Sequence, residues 1–242
     1  MKLNCDLGES YGAWRMPHDD LIMPYVDMAN IACGFHSGDP QAMQSAIISA
    51  KKHNVIIGAH PSYPDLQGFG RRSMALSEAE LIPLLHYQIA ALEGMAKIHA
   101  KTVDYVKPHG ALYNDMMANQ SLFETVVKAV SLYSEGLILV VQAVSDWQSF
   151  KQIANKYHVE LQFEAFADRR YTETGLLLSR AKPGAVLQLN DMFAQVKRMV
   201  ESQEVVSASG QVLPLKIDTL CVHGDSKGAA EAVKHIRELL SL

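Results

Sequence analysis

Cysteine is scarce in this chain. Cys5, Cys33 and Cys221 are the only three in 242 residues, too few and too scattered for a disulfide framework or a Cys-x-x-Cys metal site. All three stand in apolar, strand-like surroundings, so each reads as a buried thiol, and a reducing, cytoplasmic location fits. Strong charge of one sign is lacking as well. A formal net charge of −4, with no Lys/Arg cluster, gives no phosphate-tracking surface and argues against a nucleic-acid partner. No apolar run nears the ~18–20 residues that span a bilayer. The N-terminus begins directly as strand, Met1-Lys-Leu-Asn-Cys-Asp6, without a signal-type stretch. No membrane partner is therefore expected. Four familiar signatures are also missing: the P-loop, a Gly-x-Gly-x-x-Gly turn after a strand, His-Glu-x-x-His and Gly-x-Ser-x-Gly. Any nucleotide would have to be held by loops of another kind or shared with a partner.

Four histidines, by contrast, each close a short apolar run. They stand in Ala29-Asn-Ile-Ala-Cys-Gly-Phe-His36, Asn54-Val-Ile-Ile-Gly-Ala-His60, Val103-Asp-Tyr-Val-Lys-Pro-His109 and Thr219-Leu-Cys-Val-His223. Strand-like runs recur at Lys2–Asp6, Met28–Cys33, Asn54–His60, Val103–His109, Gly136–Gln142, Glu160–Phe166 and Asp218–His223. Helical patterns lie between most of them. Asp39-Pro40 supplies an N-cap and a proline at the first helical position for a helix to about His53. Ser77-Glu-Ala-Glu80 is a capping box before Leu81, Leu84, Leu85, Ile89 and Leu92, and Pro83 is expected to kink that helix. Asp146 and Ser226 are further cap candidates.

This alternation predicts a parallel sheet with helices outside it. About seven strands favour a closed α/β barrel, a TIM-like one, in a single domain over residues 1–242, the first strand lying beside the last. Glu204–Lys216, with Ser207-Ala-Ser-Gly210 between valine pairs, breaks the rhythm and reads as a β-hairpin excursion. In such barrels the strand C-termini form the rim that carries chemistry.

The polar residues cluster at that expected rim. Asn4 and Asp6 alternate with apolar neighbours and share one face of the first strand, with Glu9 following on its loop. Asn30 faces the barrel mouth, and His36 sits on a loop that Gly34 and Gly38 allow to turn. After His60, Pro61 and Pro64 stiffen a long loop whose length suggests a functional lid. It ends in Gly68-Phe-Gly-Arg-Arg, where Arg71 and Arg72 can clamp a carboxylate or phosphate. Lys107 and His109 are two apart on one strand face, and a lysine in a buried strand needs a partner. Gln142 closes the fifth strand. Glu164 lies in the sixth, with Asp168 and Arg169 on its loop. His223 and Asp225 precede a helix start, a place that favours an anion.

Taken together these stretches resemble the LamB/YcsF family, the family of the A subunits of bacterial ATP-dependent 5-oxoprolinases. The resemblance rests on Asn4-Cys-Asp-Leu-Gly-Glu-Ser-Tyr-Gly, Asn30-Ile-Ala-Cys-Gly-Phe-His-Ser-Gly-Asp and Gly58-Ala-His-Pro-Ser-Tyr-Pro-Asp. It continues through Gly68-Phe-Gly-Arg-Arg, Val106-Lys-Pro-His-Gly-Ala-Leu-Tyr, Glu164-Ala-Phe-Ala-Asp-Arg-Arg-Tyr and Cys221-Val-His-Gly-Asp, and so runs end to end. Pro183-Gly-Ala-Val-Leu-Gln-Leu departs from the pattern, which has a more polar pair there. The resemblance implies a distorted seven-stranded β/α barrel similar to sugar deacetylase barrels. It also implies ATP-dependent hydrolysis of 5-oxo-L-proline to L-glutamate, with ATP as co-substrate and with B and C subunits as partners. On that reading Asp6 or Glu9 with His109 handles water. Lys107, Arg71 and Arg72 face negative oxygens, and His60, His223 and Asp225 complete the pocket. No metal is assigned. Two alternatives remain: a metal-dependent deacetylase or amidohydrolase with Asp6, His60, His109 and His223 as ligands, or a non-catalytic lactam-binding subunit.

Overall fold

The structure is a computed structural model that describes residues 1–16, 18–223 and 228–240. Seven parallel strands close a barrel: β1 (Lys2–Leu7), β2 (Met28–Ala32), β3 (Ile56–His60), β4 (Tyr105–Val106), β5 (Ile138–Gln142), β6 (Leu161–Phe166) and, last in sequence, β9 (Thr219–Cys221). The chain closes on itself where β9 pairs with both β1 and β6, Thr219 standing opposite Lys2 and Glu164. The expected excursion is present as an antiparallel hairpin, β7 (Glu204–Val206) with β8 (Val212–Pro214).

Outside the barrel lie α1 (Asp19–Ile22), α2 (Pro40–Lys52), α3 (Glu78–Ile98), α4 (Gly110–Ala118), α5 (Gln120–Tyr133), α6 (Trp147–Lys156), α7 (Leu189–Ser202) and α8 (Ala229–Leu240). Asp39 caps α2 by accepting from the Ala42 amide at 2.8 Å, and Ser77 with Glu80 forms the capping box of α3. The α3 helix runs on through Pro83, its sixth residue. Asp146 stands at the N-cap of α6 without a side-chain capping bond, while Ser226 lies outside the described residues. Alternate strand residues face outward into one large apolar core shared with the helices. The fourth strand is shorter than the predicted Val103–His109. Beyond the paired residues its hydrogen bonds to the β3 side continue, the Lys107 amide donating to Ala59 O at 2.9 Å and the His109 amide to Pro61 O at 2.8 Å.

The barrel interior changes character along its axis. Met28, Tyr105 and Val140 make a small apolar plug. Above it lie Asn4, Asn30 and Thr219, all buried, and then the charged residues of the mouth. Tyr105 bridges the layers: its ring fills the space beside Gly58, where an added Cβ would collide with ring carbons, and its hydroxyl donates to Asn30 Oδ1 at 2.6 Å.

Candidate active site

A cavity of ≈ 590 Å³ opens at the C-terminal rim of the barrel, within the size range of small-molecule sites. Asp6, Glu9, His60, Arg71, Lys107, His109, Tyr113, Gln142, Arg169 and His223 all contribute to its lining. Lys107 stands at its floor, 2% exposed. Its Nζ lies 2.8 Å from Asp6 Oδ1 and 2.8 Å from Glu164 Oε2, the latter an ion pair outside good hydrogen-bond angles, and it donates to Cys221 Sγ at 3.2 Å. Burial works against the ammonium, yet Asp6, Cys221 and Glu164 outweigh it and hold the Lys107 pKa well above the usual lysine value. Burial likewise opposes ionisation of Asp6, but His60 and Lys107 keep its carboxyl well below the usual range. The interior amides fix this arrangement. Asn30 Nδ2 donates to Asp6 Oδ1 and to Asn4 Oδ1, both at 2.8 Å, and Asn4 Nδ2 donates to Thr219 Oγ1 at 3.0 Å. Glu164 receives the Tyr113 hydroxyl at 2.9 Å.

Beside Lys107 the loops after β1, β2, β3 and β4 bring three of the strand-end histidines together. His60 Nε2 lies 2.9 Å from His109 Nδ1 and 3.3 Å from Asp6 Oδ2. His36 Nε2 stands 3.1 Å from Glu9 Oε1, and that oxygen is 3.5 Å from His109 Nδ1. The His36 ring stacks on His109 with centroids 3.7 Å apart. Burial first, then the neighbouring imidazoles, pushes His36 and His109 well below the ordinary histidine pKa, so both are neutral near pH 7. Close packing of the loops makes this possible. Gly70, at φ +64, has His109 and His36 atoms 2.8 Å from where a Cβ would stand, and Gly110, at φ +58, presses so closely on the Gly70 carbonyl that a Cβ would clash with it.

Across the mouth His223 Nδ1 lies 3.0 and 2.9 Å from the two oxygens of Asp168. The Nδ1–H therefore donates to the carboxylate, and Nε2 is left for chemistry. Burial opposes the Asp168 charge, but His223 more than offsets it, and its pKa is lowered. Arg169 donates to Leu178 O at 2.6 Å, and burial brings its pKa down to about 10.

The structure thus brings Asp6, Glu9, His60, Lys107, His109, Arg71, Arg169 and His223 to one cavity. Asn4, Asn30, Glu164, His36 and Asp168 lie behind it as partners of lining residues. Arg72 departs from the expectation: it is turned away to Asp65, which its Nε reaches at 2.9 Å, and its side chain is 62% exposed. Asp225 lies outside the described residues. Sequence reasoning missed the segment Leu176–Ala181, which covers part of the mouth and adds Arg180 to the lining. Gln142 holds that segment by donating to Gly175 O at 2.8 Å. Tyr113 was visible only as part of a motif.

A closed parallel barrel whose mouth gathers histidines, carboxylates and a buried lysine defines a TIM-like barrel of the enzyme type, with its chemistry at the strand C-termini. The match to a model of the LamB/YcsF family covers residues 1–242, and the chain belongs to that family. It is 48% identical over 241 residues, 99% of this chain and 97% of the other, to a Vibrio cholerae protein named as the A subunit of 5-oxoprolinase. It is 50% identical over 239 residues, 98% of this chain and 93% of the other, to a Pseudomonas putida protein named as the second 5-oxoprolinase A subunit of that bacterium. The crystal structure of a lactam utilization protein from Thermus thermophilus superposes with a TM-score of 0.90 at 38% identity, covering 100% of this chain and 96% of that one.

Proposed function

We propose that this chain is the A subunit of an ATP-dependent 5-oxoprolinase, opening 5-oxo-L-proline to L-glutamate together with B and C subunits. The observation that carries the reading is the barrel mouth itself, in which a basic histidine corner and a histidine–aspartate pair face each other across one small cavity, in a chain about half identical to proteins of that name. We take the 242 residues to work as one domain in the cytoplasm. Among the described residues no helix is long and apolar enough to cross a membrane.

A five-membered lactam resists water, so its amide oxygen first takes the γ-phosphoryl group of ATP, releasing ADP. Water then adds to the activated carbon and the ring C–N bond breaks, leaving γ-glutamyl phosphate. A second water releases phosphate, so two waters are consumed per ATP. In this reading the Glu9, His60 and His109 corner holds and activates the attacking water. In the same reading His223, oriented by its Nδ1 contact with Asp168, delivers a proton to the departing ring nitrogen. Arg71 and Arg169 line the cavity where a carboxylate or phosphate needs cations, and Lys107 pairs with Asp6 and Glu164 beneath.

The test is glutamate formation from 5-oxoproline and ATP by the chain combined with candidate B and C subunits. Turnover that falls at least about 10²-fold in Asp168→Asn and His223→Ala supports the reading. A reconstituted complex that forms no glutamate, or forms it equally well without this chain, refutes it.

A further inference from the structure

His60 and His109 face each other in a way that neutral histidines do not tolerate. His60 Nδ1 lies 2.6 Å from the Lys107 carbonyl, and His109 Nε2 lies 2.9 Å from the Phe69 carbonyl. A carbonyl only accepts, so both of these nitrogens carry their protons. With both rings neutral, the remaining nitrogens, His60 Nε2 and His109 Nδ1, are bare lone pairs pointing at each other across 2.9 Å. A carboxylate oxygen flanks each of these nitrogens: Asp6 Oδ2 at 3.3 Å from His60 Nε2 and Glu9 Oε1 at 3.5 Å from His109 Nδ1. The other oxygen of Asp6 already receives Lys107 and Asn30. Two imidazole nitrogens with a carboxylate oxygen beside each thus stand together where a cation relieves their repulsion.

A shared proton satisfies the His60–His109 contact but does not join it to the carboxylate oxygens on either side. A divalent ion answers all four. Anchoring of the outer imidazole N–H groups on backbone carbonyls is how metal-ligating histidines are held in orientation. The two rings stand at 87° to each other, so their in-plane lone pairs can meet at one point. Two nitrogens on a tetrahedral ion with bonds of 2.0–2.1 Å stand about 3.3 Å apart, so the pair needs to open by only a few tenths of an ångström. One donor atom each from Glu9, His36, His60 and His109 falls within 4.8 Å of the others, but His36 differs from the rest. Its ring lies parallel to His109, within 4°, so an ion in the His109 plane stands out of the His36 plane, where imidazole has no lone pair. His36 instead suits a positioning role, its Nε2 3.1 Å from Glu9 Oε1 and its Nδ1 3.2 Å from the Ser62 hydroxyl, which itself donates to Tyr63 O at 2.7 Å.

We propose that this corner binds one divalent transition-metal ion, with His60, His109, Glu9 and Asp6 as ligands and His36 orienting Glu9. Mixed imidazole and carboxylate donors without thiolate suit zinc, iron or manganese. Such an ion opens onto the cavity and supplies a water of lowered pKa beside the lactam. The site stands on donor geometry alone, so metal content and glutamate formation fail separately.

The purified chain is stripped with a chelator and titrated calorimetrically with zinc or manganese alone, and bound metal is counted by mass spectrometry. One ion per chain is expected. Glu9→Gln and His109→Asn should each bind at least about 10²-fold more weakly, with folding confirmed by circular dichroism, whereas His36→Gln, which keeps a donor to Glu9, should lose no more than about tenfold. His223→Ala should bind normally, which separates this corner from the neighbouring Asp6, Cys221 and His223 group. Cobalt substitution, with ligand-field bands that vanish in Glu9→Gln, keeps the test informative if His109→Asn fails to fold. No stoichiometric ion, or an ion lost in His223→Ala but kept in Glu9→Gln, overturns the proposal.

Discussion

Lys107 shows how one buried charge organises a site. Asp6 and Glu164 stand on either side of it, and among the described residues neither has another cation within ion-pair distance except His60 beside Asp6. Lys107→Met keeps the stem and removes the charge, leaving two buried carboxylates to face each other. Loss of about 3–5 kcal/mol is expected from urea unfolding; a loss below about 1 kcal/mol would show that the charges are not coupled as described. Asp19 behaves in the opposite sense. It receives the Gly8 amide at 2.8 Å, but burial raises its pKa to about 6. The folded chain therefore holds a proton that the unfolded chain has released between about pH 4 and pH 6. That contribution is complete below about pH 4 and is lost as pH rises through about 6. Asp19→Asn, which keeps the acceptor, should raise stability at about pH 7 by up to about 3 kcal/mol, the gain vanishing near pH 4. Melting curves at the two pH values check it. At this scale the sequence disclosed which residues were unusual but not their pairings. His36, His60, His109 and His223 all carried the same strand-end signal, yet three converge and the fourth turns to Asp168. Arg72 matched Arg71 in sequence, but Asp65, which also accepts the Gly68 and Arg72 amides, captures it. That local turn is invisible in a residue pattern.

At the scale of elements, strand spacing and caps were legible because they depend on neighbours in sequence. Asp39 is such a case: besides capping α2 it accepts the Gly12 amide at 2.7 Å. Asp39→Ala should cost about 1–2 kcal/mol in equilibrium unfolding, and a neutral result would mean that water replaces both bonds. The interior contact of Gly58 with Tyr105 was not legible, because it joins β3 to β4 across the whole of the intervening loop and α3. Gly58→Ala drives a methyl into a rigid, fully buried ring and should cost about 3 kcal/mol or more. Tyr105→Leu should recover part of that loss, since a smaller side chain vacates the space. A double-mutant cycle measures the coupling, and additive losses would place the strain elsewhere. The segment from Leu176 to Ala181 escaped prediction for a different reason. It has neither helical nor strand periodicity: it folds back on its own chain, the Leu178 amide donating to Arg170 O at 2.8 Å and the Thr172 amide to Leu176 O at 2.7 Å, and Gln142 ties the preceding Gly175 to the barrel.

For the molecule as a whole, closure makes the two ends of the chain interdependent. The expectation that the first strand lies beside the last came from counting strands, and the register of β1 on β9 supports it. The seam is reinforced outside the barrel. Arg237 in α8 donates to Tyr25 O at 2.9 Å and to Asp27 Oδ1 at 2.6 Å, and Asp27 also accepts the Leu3 amide at 2.8 Å. Removing residues 215–242 deletes β9 and α8, opens hydrogen-bonding edges on β1 and β6, and strips Leu220, Cys221, Val233 and Ile236 from the core. It also takes away Thr219, which anchors Asn4 beneath the site. A barrel opened in this way should not survive as a smaller barrel, because Asp6 and Lys107 lose the polar layer that orients them along with the apolar seam. The truncated chain should show no cooperative thermal transition, and its β1 amides should exchange with solvent as fast as those of an unfolded peptide. Retained protection in β1 and β2 would instead show that the N-terminal strands form a unit stable without closure.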